Sequence, residues 1–289
     1  MLLTIFTPTY NRAKTITRTY QSIKDQSCKD FEWIIVDDGS TDNTEVLVSS
    51  WLQQELDFPI RYIKQSNGGK YRAYNNGLRN AKGELFFCVD SDDWLPKDSV
   101  KQIKGHYDEL ISDKLLAGLI ALKENSDKIL IGKAFYGDIK RSSLYNLELL
   151  GQRGERSIVF KLDVAQQFPF PEETGEKFVP ESVVYDRFEG RYQFLISNDI
   201  LTTCEYQDEG LSSNPYALML RNPAGYKLFY AQRIDLTSSI MNRIIYAIKY
   251  NVFKRLYNGD IYSYSGVHEF IVKIVSPFSI FLEIYYKIR

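Results

Sequence analysis

The chain has 289 residues, 44% of them hydrophobic, enough for one large α/β domain with an appendage or for two small domains. A net charge of −1 supplies no overall field for nucleic acid, and no motif for it is present. Three cysteines without metal spacing suit a reduced, cytoplasmic protein, and two scattered histidines leave Asp and Glu as the credible metal ligands.

The first hundred residues alternate strand-like and helix-like segments. Leu2–Thr7 reads as a short apolar strand stopped by Pro8, and the chain start lacks the basic region and apolar core of a signal peptide. Ala13–Gln26 carries Ile16, Tyr20 and Ile23 at helical spacing. Phe31–Val36 is a second strand, closed by Asp37-Asp38-Gly39-Ser40, and Thr41 or Asp42 can cap a helix running to about Gln54. Ile60–Lys64, a turn at Asn67-Gly68-Gly69, a helix over Lys70–Asn80 and a strand over Glu84–Val89 follow. This alternation predicts a mostly parallel sheet covered on both faces, with ligands outside the carboxyl ends of the strands.

The middle is less regular. Leu115–Leu122 reads as a strand, residues 123–156 as a polar excursion and Ser157–Lys161 as a return to the sheet. Phe168–Gly175 is a loop by composition, Glu181–Phe188 a short helix, and Tyr192–Leu195 and Ile200–Gln207 two strands. The end is helical. Ile240, Ile244, Ile248 and Val252 form one apolar stripe, and Ile271, Val275, Phe278 and Leu282 a second, interrupted at Pro277. The charge-free run Ile274–Leu282 is far short of the ~20 apolar residues a spanning helix needs. From Lys227 onward nine basic residues face four acidic ones, a balance of +5, and the remainder of the chain carries −6. Such a tail has three outlets: internal packing, pairing of two copies, or an anionic membrane surface. The last would make the protein peripheral on the inner face of the cell membrane.

The chemistry concentrates at Asp90-Ser91-Asp92-Asp93, directly after the apolar run Leu85–Val89. Carboxylates at a buried strand end are costly unless cations join them. An Asp-x-Asp pair there can share a hard divalent ion with a nucleotide-sugar, and the shortage of His and Cys favours Mg²⁺ or Mn²⁺ over zinc. The plainer reading is that Asp90 and Asp92 cap the following helix.

The motifs, in order, resemble those of the inverting family-2 glycosyltransferases of GT-A fold, in particular enzymes that build bacterial surface polysaccharides. The resemblance runs from Leu2 to about Gln232. It rests on Thr7-Pro8-Thr9-Tyr10-Asn11-Arg12, Val36-Asp37-Asp38-Gly39-Ser40, Asn67-Gly68-Gly69-Lys70, Arg72 to Leu78, and Asp90-Ser91-Asp92-Asp93. It implies a GT-A domain over 1–232, with a nucleotide-binding half at about 1–122 and an acceptor half at about 123–232, and a helical extension over 233–289. It implies that Thr7, Pro8 and Tyr10 line the nucleobase pocket and that Asp38 accepts from the uracil N–H. Lys70 and Arg72 would lie near base and ribose, Asp90 near the ribose or the metal, and Asp92 on the metal. Arg12, Asn67 and Ser91 join the donor-binding set, with Asp93 as helix-side support. The segment Gly175 to Glu181 resembles the acceptor side, which makes Glu181 the expected base. The family often has Glu-Asp where this chain has Glu181-Ser182, and Glu176, Asp186 and Asp208 are the alternatives. The implied reaction moves a sugar from a UDP-sugar to a hydroxyl of a glycan or lipid-linked acceptor. Two rivals are a sugar nucleotidyltransferase, disfavoured by the glycine-free first loop, and a non-catalytic nucleotide-sugar-binding partner.

Overall fold

The computed structural model describes residues 1–137, 139–152, 154–172, 175–205, 214–257 and 259–288. The chain divides into two compact units, Met1–Pro169 with Phe188–Tyr206, and Phe170–Arg187 with Gln207–Arg289.

The first unit is built on one eight-stranded sheet in the order β3-β2-β1-β4-β7-β5-β8-β6. Its strands are β1 (Leu3–Thr9), β2 (Phe31–Asp37), β3 (Ile60–Lys64), β4 (Leu85–Cys88), β5 (Leu116–Asn125), β6 (Arg141–Ser142), β7 (Arg156–Lys161) and β8 (Gln193–Cys204). The helices of this unit are α1 (Ile16–Lys24), α2 (Thr44–Leu52), α3 (Lys70–Asn80), α4 (Ser99–Gly105), α5 (Tyr107–Ser112), α6 (Leu144–Leu149) and α7 (Leu162–Ala165). The sheet is mixed: β1 to β4 run parallel, whereas β7 is antiparallel to both β4 and β5, and β6 to β8.

β1 and β2 are buried at every position, as central strands covered on both faces must be. Helix α1 buries Ile16, Thr19, Tyr20 and Ile23, one face at helical spacing. Tyr20 stacks on Trp51 of α2 with ring centroids 4.2 Å apart, and both lie over Trp33 of β2. On the other face α3 comes so close to β1 that a Cβ at Gly77 would stand 2.4 Å from the Phe6 ring. Only glycine lets that helix approach.

Strand β1 does not stop at Pro8 but continues to Thr9. The hydrogen bonds explain it. Thr9 O accepts from Asp38 N–H and Phe6 O from Val89 N–H, so odd residues face β2 and even ones face β4. Pairing with β4 ends at Phe6 opposite Cys88, so Pro8 points past the end of its neighbour and no ladder bond is lost. The two strands expected at 192–195 and 200–207 are a single strand, β8, whose register against β5 shifts at Ile120–Leu122.

The second unit is helical: α8 (Ser182–Tyr185), α9 (Pro215–Arg221), α10 (Pro223–Leu236), α11 (Ile240–Leu256), α12 (Glu269–Val275) and α13 (Ser279–Ile288), with short 3₁₀ turns at Asp186–Phe188 and Ser276–Phe278. Its core joins Tyr230 and Ile234 of α10 to Ala247, Tyr250 and Phe253 of α11 and to Val272 and Tyr286. The line between units therefore differs from the boundary expected at 232/233. Residues 215–232 group with the C-terminal helices because Tyr230 belongs to their core.

Candidate functional site

The parallel ladders align the carboxyl ends of three strands. Thr9 of β1 lies opposite Asp37 of β2, and Phe6 opposite Cys88, two residues before Asp90. Asp90 to Asp93 form a tight turn, closed by Asp93 N–H donating to Asp90 O at 3.0 Å.

Helix α1 and strand β8 hold that turn from outside. Arg18 donates to Asp92 O at 2.9 Å and Thr19 to Asp93 O at 2.7 Å. Arg18 also lies 3.8 Å over the Trp94 ring and pairs with Glu205 at 2.8 Å. Trp94 and Thr203 exchange two main-chain hydrogen bonds, of 2.9 and 2.8 Å. The turn's backbone is thus fixed by groups that leave its carboxylates directed elsewhere.

Those carboxylates meet three cations. Lys70 at the start of α3 contacts both oxygens of Asp90, at 2.8 and 2.9 Å. Arg12, in the loop after β1, lies 3.8 Å from Asp92. Lys123 of β5 approaches the buried Asp93 at 3.1 Å and Glu155 at 3.9 Å. Desolvation raises the Asp90 carboxyl, but Lys70, Lys123 and Arg12 outweigh it and hold the group below the ordinary carboxylate value. Asp93 goes the other way. Burial, with Asp90 and Asp92 beside it, pushes it up to about 6 against the pull of Lys123. Lys123 is itself held above its ordinary value: burial lowers it, and Asp93, Asp90 and Glu155 overcome that.

Asp38 anchors a second loop. Its Oδ1 accepts from Gln65 Nε2 and from Gly68 N–H, both at 2.8 Å. Its Oδ2 accepts from Gly69 N–H at 2.7 Å and from Asn67 Nδ2 at 3.2 Å. Four donors fill the acceptor positions of one carboxylate. Asp38 therefore fastens the loop that leads into α3, where Gly69 sits at φ +99°. Asp37 is likewise structural, accepting from Ser40 N–H at 2.7 Å and Tyr62 OH at 2.5 Å.

The sequence-predicted donor residues fall into two groups. Arg12, Lys70, Asp90 and Asp92 are brought into contact in pairs, and Tyr10 is half exposed at the end of β1. Thr7 is fully buried and its Oγ1 accepts from Trp33 Nε1 at 3.0 Å, while Pro8 and Ser91 are also buried. Asn67 is committed to Asp38, and Arg72 folds against Tyr71, its Nε 3.0 Å from the phenol oxygen. Sequence reasoning missed Lys123, Arg18 and Thr19. A lone lysine in an apolar strand, Leu119 to Lys123, was the available signal for the first. The other two act through a helix face, which local spacing does not reveal.

In the second unit, Glu181 is exposed just ahead of α8, with Tyr185 OH 3.3 Å from its Oε2. The alternatives are committed elsewhere. Glu176 accepts from Ala224 and Gly225 N–H at 2.7 and 2.9 Å, capping the start of α10. Burial raises its carboxyl, with those two bonds pulling it down. Asp186 forms a buried two-pronged pair with Arg233, one bond at 2.9 Å. Asp208 lies outside the described residues.

The model of glycosyl transferase family 2 matches residues 4–148, half of the chain. The chain belongs to this family. The matched span holds the whole turn-and-cation cluster just described. Among relatives, it is 31% identical over 137 residues to the glycosyltransferase GlyA of Streptococcus pneumoniae, 46% of this chain and 19% of that protein. It is 35% identical over 118 residues to the poly(ribitol-phosphate) beta-N-acetylglucosaminyltransferase TarS of Staphylococcus aureus, 40% of this chain and 20% of that protein. The chain thus spans about a fifth of the length of these curated relatives. In structure it is similar to S. aureus TarS 1-349 in complex with UDP-GlcNAc, with TM-score 0.62 and 19% identity, covering 99% of this chain and 92% of that one. It is also similar to the mannosyltransferase PcManGT of Pyrobaculum calidifontis, in complex with GDP-Man and Mn²⁺, with TM-score 0.57 and 17% identity, covering 96% and 80%. At these identities the structures establish the fold alone, which is GT-A. No helix among the described residues is long and apolar enough to cross a membrane.

Proposed function

We propose that this protein transfers a sugar from a UDP-sugar to a hydroxyl of a glycan acceptor, lipid-linked, in the synthesis of a bacterial surface polysaccharide. The observation that carries the reading is the turn Asp90–Asp93 at the carboxyl ends of the parallel strands, with Lys70 and Arg12 on its carboxylates. In α/β sheets of this kind ligands bind at that edge. A diphosphate arriving there meets two flexible cations, and each can leave a carboxylate for a phosphate oxygen. Tyr10, half exposed directly after β1, offers a flat face to the base.

Asp90 and Asp92 supply only carboxylate oxygens, the donor type that Mg²⁺ and Mn²⁺ prefer. Arg12 stands off from Asp92 at 3.8 Å, beyond hydrogen-bond distance. Asp92, with Asp90 beside it, would hold such an ion, which when bound offsets charge on the leaving diphosphate. The chain's own residues do the rest. Lys70 and Arg12 balance the diphosphate, and the clamps from α1 and β8 keep the turn from moving as charge develops.

Transfer in one displacement with inversion needs a base for the acceptor hydroxyl. Glu181 is the proposed base: it is exposed, whereas Glu176 and Asp186 are spent on helix capping and a buried pair. The test is release of free UDP from a panel of UDP-sugars with Mn²⁺. Asp92→Asn should lower release at least about a hundredfold. Glu181→Gln should keep nucleotide affinity and lose turnover. Full release by Asp92→Asn would remove the donor-site assignment, and full turnover by Glu181→Gln would remove the base.

A further inference from the structure

The C-terminal helices are apolar on two opposite sides. Val272, Val275, Ser279 and Tyr286 face inward and are buried. On the other side Phe270, Ile274, Phe278, Phe281, Ile284 and Ile288 follow one another at steps of three and four residues, and all are more than half exposed. Phe281 and Ile288 reach 75% and 80% exposure. Side chains at such steps are neighbours on a helix surface, so these form an apolar stripe along α12 and another along α13, joined through the 3₁₀ turn at Ser276–Phe278. An exposed apolar stripe of this length marks an interaction surface.

Its chemistry selects the occupant. The stripe is Phe and Ile throughout, with no polar group to fix the orientation of a folded partner, whereas protein interfaces carry regular hydrogen bonds. Its flanks are positive. Glu269 pairs with Lys273 at 2.8 Å and is also held down by the field of Lys254. Glu283 pairs with Lys287 at 2.7 Å and with Arg255 at 2.8 Å. Both acids are therefore neutralised, and four cations border two carboxylates. A surface that is apolar along its axis with an excess of cations beside it complements an anionic lipid headgroup layer.

We propose that α12 and α13 lie flat on an anionic bilayer, the Phe–Ile stripe entering the acyl boundary and Lys254, Lys273 and Lys287 meeting the headgroups. The helices are too short to span, so the attachment is in-plane. This surface is separate from the donor site, and its test does not depend on turnover.

The test is co-sedimentation of the full chain with phosphatidylcholine vesicles, with and without phosphatidylglycerol. Binding is expected only with the anionic lipid, and falling with salt. Phe270→Glu with Phe281→Glu, at solvent-exposed positions, should weaken it at least about tenfold while the thermal melt is kept. Lys273→Glu with Lys287→Glu, which spares the stripe, should abolish the preference for anionic lipid. Equal binding by wild type and the Phe pair would overturn the proposal, as would no binding by wild type. A wild-type dimer that the Phe pair dissociates, seen by sedimentation equilibrium, would assign the stripe to a second copy instead.

Discussion

Lys123 shows what single residues contribute to this site. It is the counter-ion of a carboxylate that is 6% exposed, and removing one partner of a buried pair costs about 3–5 kcal/mol. Lys123→Met should lose that much stability in urea denaturation at neutral pH. The sign with pH is fixed by Asp93. Its folded pKa is raised, to about 6, so it favours the fold at low pH and that contribution is lost as pH rises through about 6. Without Lys123 the carboxyl rises further, so the deficit of the variant should be larger at pH 8 than at pH 5. A deficit that stays flat across that range would contradict the assignment. Asp38→Asn should cost about 2–5 kcal/mol, because the new amide would face donors that the carboxylate now accepts. Residues of this kind differ in how far the sequence exposes them. Asp90, Asp92 and Asp93 stand out as three acids after an apolar strand. Asp38 reads from the sequence as a ligand contact, and its bonds to a loop thirty residues away are encoded by no local pattern.

Among elements, those with local causes were legible. Ile60–Lys64 and Lys70–Asn80 match the expected spans, since their hydrophobic spacing and the Asn67-Gly68-Gly69 break are contained within each segment. Elements defined by their neighbours were not. The polar run Ser197-Asn198-Asp199 separates the two expected strands, whereas in β8 pairing with β5 lapses over these residues and resumes at Ile200. The antiparallel β7 was likewise hidden, since strand direction depends on where the chain returns. The contact between α3 and β1 gives a direct test. Gly77→Ala gains about 1 kcal/mol of helix propensity but drives a methyl into Phe6, an overpacking of about 1–3 kcal/mol. A net fall in thermal midpoint is expected, and Phe6→Leu in the same chain should recover part of it.

For the whole molecule, the two units have separate cores, and among the described residues the chain passes between them at 169–170 and 187–188. The C-terminal helices are therefore not a detachable tail. A chain ending at Gln232 keeps Tyr230 but loses Ala247, Tyr250 and Phe253, which surround it. Such a truncation should bind a hydrophobic dye and lose its cooperative melt over the helical unit, while one ending before Gly266 should retain the α10–α11 pairing. Composition foretold a helical end to the chain, but not that its core reaches back to residue 230. At the mouth of the sheet, Pro8 has an effect beyond its own backbone. Past Cys88 the rim of β1 turns toward the vacated lane of β4, and there it offers a carbonyl but no N–H. A passing segment meets there a rim that lacks one donor, which disfavours pairing of an extra strand beside the Asp90 turn. One imino acid withholds that donor at no cost in sheet hydrogen bonds.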